Sequence, residues 1–175
     1  ALETVSVARA TPEMIPELTQ IVNWAYRGEG GWTTESDILT GRRTTEQELT
    51  EIVARCSSTA DEAFFAAIVD GKPVGCVRVV KESDCEAEIG MFAVQPDMQS
   101  QGVGRQLVDR AEEEARSMGA TMAVMRVLTP RTDILEWYKR RGYDSTGIRE
   151  ELFESDLWEV VGGGSLFFEK IQRKL

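Results

Sequence analysis

Apolar and polar positions change period several times along this chain, and each change marks an element. Thr4 to Arg9 sets Val5 and Val7 between polar neighbours, the period-two pattern of a short strand. From Thr11-Pro12 the spacing becomes helical. Met14, Leu18, Ile21, Val22 and Ala25 predict a helix to about Tyr26, with Thr11 as N-cap and Pro12 at its first position. Gly28, Gly30 and Gly31 break it, and a connector from Arg27 to Thr44 follows. A connector longer than about 12–15 residues within a compact domain is usually functional or locally helical. Thr45 and Glu48 form a capping-box pattern ahead of Leu49, Ile52 and Val53, which predicts a second helix ending near Arg55.

The period then returns to two. Ala63 to Val69 and Pro73 to Val80 read as strands joined by the hairpin signal Asp70-Gly71, and Ser83-Asp84 turns the chain into a third strand, Glu86 to Val94. Pro96 ends that strand. A helix is expected from about Gly104 to Met118, with Leu107, Val108, Ala111 and Ala115 on its apolar face and Gly119 as C-cap. Its charge run from Asp109 to Arg116 reads as a solvated face with i,i+4 pairing. Met122 to Val127 is an apolar strand suited to burial on both faces. A short helix from Thr132 to Arg140 stops at Gly142. Two late strands are expected, Ile148 to Phe153 and Leu166 to Glu169, with Gly162-Gly163-Gly164 as a loop between them and Ile171 to Leu175 as a tail. The order βα(α)βββαβαββ predicts an α/β (α+β) fold, a mixed sheet with helices on both faces.

Composition narrows the chemistry. A length of 175 residues suits one domain. The 3 Cys lack metal-like spacing, so no metal and no disulfide framework are expected, and a reducing, cytoplasmic setting follows. No apolar run approaches the roughly 20 residues of a membrane span, and no signal peptide is visible in a sequence that begins at Ala1. The formal net charge of −10 argues against nucleic-acid binding. The chain contains no His. Proton transfer must therefore fall to a carboxylate, Tyr, Cys, Lys or ordered water.

The most informative segment is Val94-Gln95-Pro96-Asp97-Met98-Gln99-Ser100-Gln101-Gly102-Val103-Gly104-Arg105-Gln106-Leu107. A strand stops, glycines turn the backbone, and a helix begins. The first helical turn presents unpaired N–H groups that favour an anion. Between Met98 and Val108 the only charged side chain is Arg105, where most helices place an acid. The spacing fits neither a nucleotide-triphosphatase loop, since no GxxxxGK[ST] occurs, nor a dinucleotide fingerprint, since Leu107 stands at the third glycine position.

Gln99 to Gly104 matches the [RQ]-x-x-G-x-[GA] signature of the GNAT superfamily of acyl-CoA-dependent N-acetyltransferases, and the resemblance extends further. The strand Ala87 to Val94 resembles that family's central strand, and Trp137-Tyr138-Lys139-Arg140-Arg141-Gly142-Tyr143 is similar to its late helix-and-glycine motif. Element order agrees from about Val5 to Lys170. The resemblance implies a mostly antiparallel central sheet and acetyl-CoA as acyl donor.

Carried over residue by residue, the resemblance implies that backbone N–H groups of Gln101, Gly102, Val103, Gly104, Arg105 and Gln106, following Gln99, hold the pyrophosphate. The pantetheine arm would pair with main chain at Phe92, Ala93 and Val94, and an N–H near Phe92 would polarise the thioester carbonyl. Tyr138 matches the general acid that protonates the leaving thiolate. Seven residues earlier, where family members often have Asn, this chain has Arg131; either Arg131 reaches the cofactor instead or that contact is lost. Glu88 is the candidate general base, with ordered water as the alternative, and Glu86, on the same strand face, would either share that task or raise the pKa of Glu88 by like-charge proximity. Cys85 lacks any His to generate a thiolate, so direct transfer is expected. The acceptor is an amine on a small molecule or peptide. Trp32 and Glu35, in the long connector, either bind its ammonium group or serve the fold. A non-catalytic acyl-CoA-binding module and a transferase of longer acyl groups are the alternatives, and a monomer or homodimer is expected.

Overall fold

The computed structural model describes residues 4–27, 38–99, 101–152 and 155–175. Its elements run β1 (Ser6–Arg9), α1 (Ile15–Arg27), β2 (Leu39–Gly41), α2 (Glu46–Cys56), β3 (Glu62–Val69), β4 (Lys72–Lys81), β5 (Glu86–Val94), α3 (Val103–Ser117), β6 (Met122–Leu128), α4 (Thr132–Arg140), β7 (Asp144–Glu151), β8 (Trp158–Val160) and β9 (Phe167–Lys174). Seven strands form a mixed sheet in the order β1-β3-β4-β5-β6-β9-β7; only the β5–β6 pair is parallel.

The β3–β4–β5 meander is the centre of the sheet, and it is apolar on both faces. On one face Phe65, Val77, Val79 and Ile89 pack with Leu107, Val108, Ala111 and Ala115 of α3 and with Ile134 and Tyr138 of α4. On the other, Phe64, Ala66, Cys76, Met91 and Ala93 pack with Leu18 and Val22 of α1 and Leu49 and Ile52 of α2. Helices on both faces of a mostly antiparallel sheet match the expected fold class. No helix among the described residues is long and apolar enough to cross a membrane.

Several local expectations change. Pro12–Met14 forms a separate 3-10 turn before α1, and Thr11 caps it without a side-chain hydrogen bond. Thr45 does cap α2, accepting from Glu48 N at 3.1 Å, but the Glu48 carboxylate takes the Thr44 hydroxyl (2.6 Å) instead of closing the box. The long connector ends in β2, which pairs with β8 as a small separate ribbon. Ile171 to Leu175 is not a tail: β9 runs to Lys174 and lies between β6 and β7. Glu169, Lys170, Gln172 and Arg173 are half-buried and Ile171 alone is fully buried, so β9 lacks the apolar run that marks a strand lined on both sides. Nor is the charge run of α3 wholly solvated. Glu112 and Glu114 are buried, and Glu112 takes hydrogen bonds from Arg141 (2.9 Å), Arg173 (2.8 Å) and the Tyr143 hydroxyl (2.9 Å).

Candidate active site

A cleft opens where two parallel strands part. β5 and β6 pair only from Glu86–Met122 to Glu88–Val124. Beyond that, β5 stays with β4 as far as Val94, while β6 leaves with β9 as far as Leu128. The result is a cavity of about 970 Å³ reaching from the glycine loop to the α1–α2 side of the sheet, within the size range of small-ligand sites.

A bulge in β5 shapes this cleft. Cys76 pairs with Ala93 and Arg78 with Gly90, so Met91 and Phe92 both oppose Val77. Met91 takes a left-handed conformation, φ 45°. The extra residue reverses the sidedness of the strand. Before it, Ala87 and Ile89 face α3; after it, Met91 and Ala93 face α1 and α2 while Phe92 and Val94 turn toward α3. Glu88 and Gly90 therefore open toward α1 and α2, and Phe92 reaches the aromatic cluster of α4.

At the other end stands α3. Its N-cap is Gly102, φ 79°, with no side-chain cap and no acid in the first turn. The Gln106 N–H makes the first helical bond, to Gly102 O at 3.1 Å, which leaves the N–H groups of Val103, Gly104 and Arg105 at the helix end. A Cβ at Gly104 would stand 3.0 Å from Phe92 Cζ, so glycine lets the helix end close onto β5. Val103 is buried in the core and serves as an anchor; the side chains of Gln101, Arg105 and Gln106 are exposed. Gln99 Nε2 donates to Val94 O at 3.2 Å, so a strand-like contact with that carbonyl would have to displace it.

Tyr138 sits on α4 between Trp137 (ring centroids 5.3 Å) and Tyr143 (5.9 Å), and Phe92 stacks on Trp137 at 5.8 Å. Tyr138 is nearly buried yet lines the cleft. Burial pushes its phenol well above the ordinary value. Arg131 lies just ahead of α4 with its guanidinium 5.7 Å from the Tyr26 ring centroid, also lining the cleft.

Glu88 is held by Arg126, whose guanidinium also donates to Glu82 (2.6 Å) and Glu150 (2.7 Å). Burial raises the Glu88 carboxyl above the usual carboxylate range, against the opposing pull of an Arg126 shared among three carboxylates. The like charge that adds to this rise is Glu82. Glu86, expected in that role, pairs instead with Lys170 at 3.6 Å. One strand over, Arg78 gives Nε (2.7 Å) and Nη2 (2.6 Å) to Glu62 Oε2, and Arg55 holds Glu62 Oε1 at 2.9 Å.

The cleft thus brings together Glu88, Phe92, Ala93, Val94, Gln99, Gly102, Gly104, Arg105, Arg131 and Tyr138 of the expected site. Trp32 and Glu35 lie outside the described residues. Sequence reasoning missed Arg78 and Arg126. The available signal was a lone charge inside an otherwise apolar strand, PVGCVRVV and MAVMRVL; a charge is rarely buried unless it is paired.

Comparison with known proteins bears on this geometry. An uncharacterized N-acetyltransferase of Methanocaldococcus jannaschii is 32% identical over 94 residues, 48% of this chain and 40% of that protein. An amino-acid acetyltransferase of Pseudomonas putida is 33% identical over 88 residues, 50% of this chain and 19% of that protein. The aligned stretches thus span less than half the length of these relatives. Among solved structures, the PaiA N-acetyltransferase of Thermoplasma acidophilum in complex with coenzyme A superposes with a TM-score of 0.73 at 14% identity, over 98% of this chain and 99% of that one, a likeness of fold. The model of the acetyltransferase (GNAT) family matches residues 17–143, and the chain belongs to that family.

Proposed function

We propose that the chain transfers an acetyl group from acetyl-CoA to a primary amine by direct attack within a ternary complex. The observation that carries this reading is a single cleft joining an acid-free, glycine-capped helix end to the open edge of β5, with Glu88 at one side and Tyr138 at the other. These residues fit the donor. The end of α3 offers N–H groups to a pyrophosphate, Arg105 belongs to its first turn, Arg131 lines the same cleft, and the edge of β5 beyond Glu88 can pair with an extended amide-bearing arm. The solved neighbour that holds coenzyme A has the same fold.

Acetyl-CoA supplies an activated thioester. Glu88, or a water it orders, takes the proton that an incoming ammonium must lose, and a carboxyl with a raised pKa is the better acceptor for it. Main-chain N–H at the Phe92 bulge stabilises the carbonyl oxygen as charge builds there. Tyr138 gives its proton to the departing thiolate and regains it from solvent. In balance, a C–N bond forms, the C–S bond breaks, and the products are an amide, free thiol and one proton.

Thermal unfolding titrated with acetyl-CoA tests the reading first. Specific binding at 100 times the dissociation constant stabilises a fold by about 2.7 kcal/mol, a shift of several degrees for a chain this size. A saturable shift is expected with acetyl-CoA, and thiol release with at least one amine. Absence of any shift in a folded sample would make the glycine loop an ordinary turn. Saturable binding without turnover on any amine would leave a non-catalytic acyl-CoA-binding module.

A further inference from the structure

The acceptor side of the cleft carries opposite charges on either side of Gly90. Arg78 stands directly across the β4–β5 ladder from Gly90, and Glu88 is the next residue of β5 on the same face. Arg78 is anchored from behind: its Nε and Nη2 are fixed on the buried carboxylate of Glu62, which Arg55 also holds. Arg78 Nη1 makes no hydrogen bond to a described residue, and Arg78 lines the cavity. Arg126 differs, because it is saturated by Glu82, Glu88 and Glu150. Glu88 gives Arg126 only its Oε2, while Oε1 lies 3.7 Å from where a Cβ on Gly90 would stand. The floor of the acceptor site therefore carries a guanidinium fixed along one edge and a carboxylate on the same face, with Gly90 across from the first, two residues from the second, and without a side chain beside Glu88 Oε1. Arg78 is close enough to Glu88 to act on its ionisation.

Resting on the acetyl-transfer reading, we propose that the acceptor is a free amino acid, its ammonium group at Glu88 Oε1 and its carboxylate at Arg78 Nη1. A guanidinium and a carboxylate on one face are opposite in charge to the two ends of a zwitterion, and a guanidinium whose other edge is already fixed loses little freedom on binding a carboxylate. A simple alkylamine or the N-terminus of a peptide would bring no carboxylate to Arg78 Nη1. The surrounding charges agree. Arg55 and Arg78 share one carboxylate, while Arg126 faces three. Glu51, one turn before Arg55 on α2, also borders the cleft, but it is exposed and screened by water.

The test uses matched ligands on the whole protein: the twenty standard L-amino acids, their α-carboxamides and their decarboxylated amines. Thiol release under saturating acetyl-CoA and thermal stabilisation by the acceptor alone are both read. At least one acid is expected to exceed its own amide and amine by tenfold or more in kcat/KM, chiefly through KM, and to stabilise the fold where they do not. In Arg78→Gln the acid-to-amide ratio should fall toward one. Because that variant touches the buried Glu62, its folding is checked by Tm, and the wild-type ratios stand without it. Amides or amines that match or outrun their acids would overturn the assignment, as would a ratio unchanged in a folded Arg78→Gln. If no amine of any kind releases thiol, the transfer reading fails by itself. The acid-over-amide difference in stabilisation then still decides whether Arg78 is a carboxylate site.

Discussion

Glu88 and Tyr138 share a cleft but have opposite problems. As the proposed base, Glu88 must be ionised to accept a proton, and burial raises its pKa, so the rate should climb with pH through a value above the ordinary carboxylate range. Glu88→Gln removes that titration. A lowered kcat and loss of this acidic limb are expected in its pH–rate profile; an unaltered profile would assign the base to water or another group. As the proposed acid, Tyr138 must stay protonated, and burial favours that form by pushing its phenol upward. Its ionisation should therefore contribute no alkaline limb below about pH 10, the ordinary phenol value. Tyr138→Phe should lower kcat by about 10²-fold with little change in acetyl-CoA affinity. A variant as fast as the wild type at every pH would make Tyr138 a packing residue of the aromatic cluster. Both residues were legible as candidates, from strand position and motif. What the sequence concealed was Arg126, because its contact with Glu88 joins β6 to β5 through a gap of 38 positions.

At the scale of elements, local pattern and long-range contact part company. The β3–β4–β5 meander, α3 and its glycine loop were readable because each is specified by its own residues: alternation, a turn dipeptide, a helix with one apolar face. Gly104 belongs to this class. A carboxylate there would meet Phe92 and carry negative charge into the helix end. Gly104→Asp should thus weaken acetyl-CoA binding by about 10²-fold or more by calorimetry, while the circular dichroism spectrum stays native. The bulge at Met91, the β2–β8 ribbon and the internal place of β9 depend on partners far along the chain, and no local period reports them. The same holds for Glu112. Its neighbours read as a solvated run, yet it ties α3 to Arg141 and Tyr143 beyond α4 and to Arg173 on β9. Removing one member of a buried charge network typically costs about 3–5 kcal/mol. Glu112→Ala should then lower Tm by roughly 10 °C, at 2–4 °C per kcal/mol for a chain of this length. A shift within 2 °C would return Glu112 to the surface face that its sequence suggests.

Over the whole molecule, the average charge and the charged residues that line the cleft differ in sign. The chain carries a formal net charge of −10, and its composition alone suggests an affinity for cations. Among the described residues, however, the cleft is lined by nine arginines against three glutamates. Folding has gathered cations from α1, α2, β4, α3, β6 and α4 along one groove, with Arg55, Arg78, Arg126 and Arg141 paired there with carboxylates. That sorting cannot be read from composition, because it depends on which charges the topology turns inward. It has a consequence for an anionic donor. If the net charge governed the encounter, added salt would screen a repulsion, and acetyl-CoA would bind more tightly. If the groove governs it, salt screens an attraction between groups a few ångströms apart and binding weakens. Raising potassium chloride from 0.05 to 0.5 M is a sufficient contrast, since the screening length falls from about 14 Å to about 4 Å. The dissociation constant for acetyl-CoA should rise by roughly threefold or more across that range, most of the change appearing in the association rate. Constant or tighter binding at high salt would mean that the arginines of the cleft are spent on neighbouring carboxylates and that the backbone of α3 holds the donor alone.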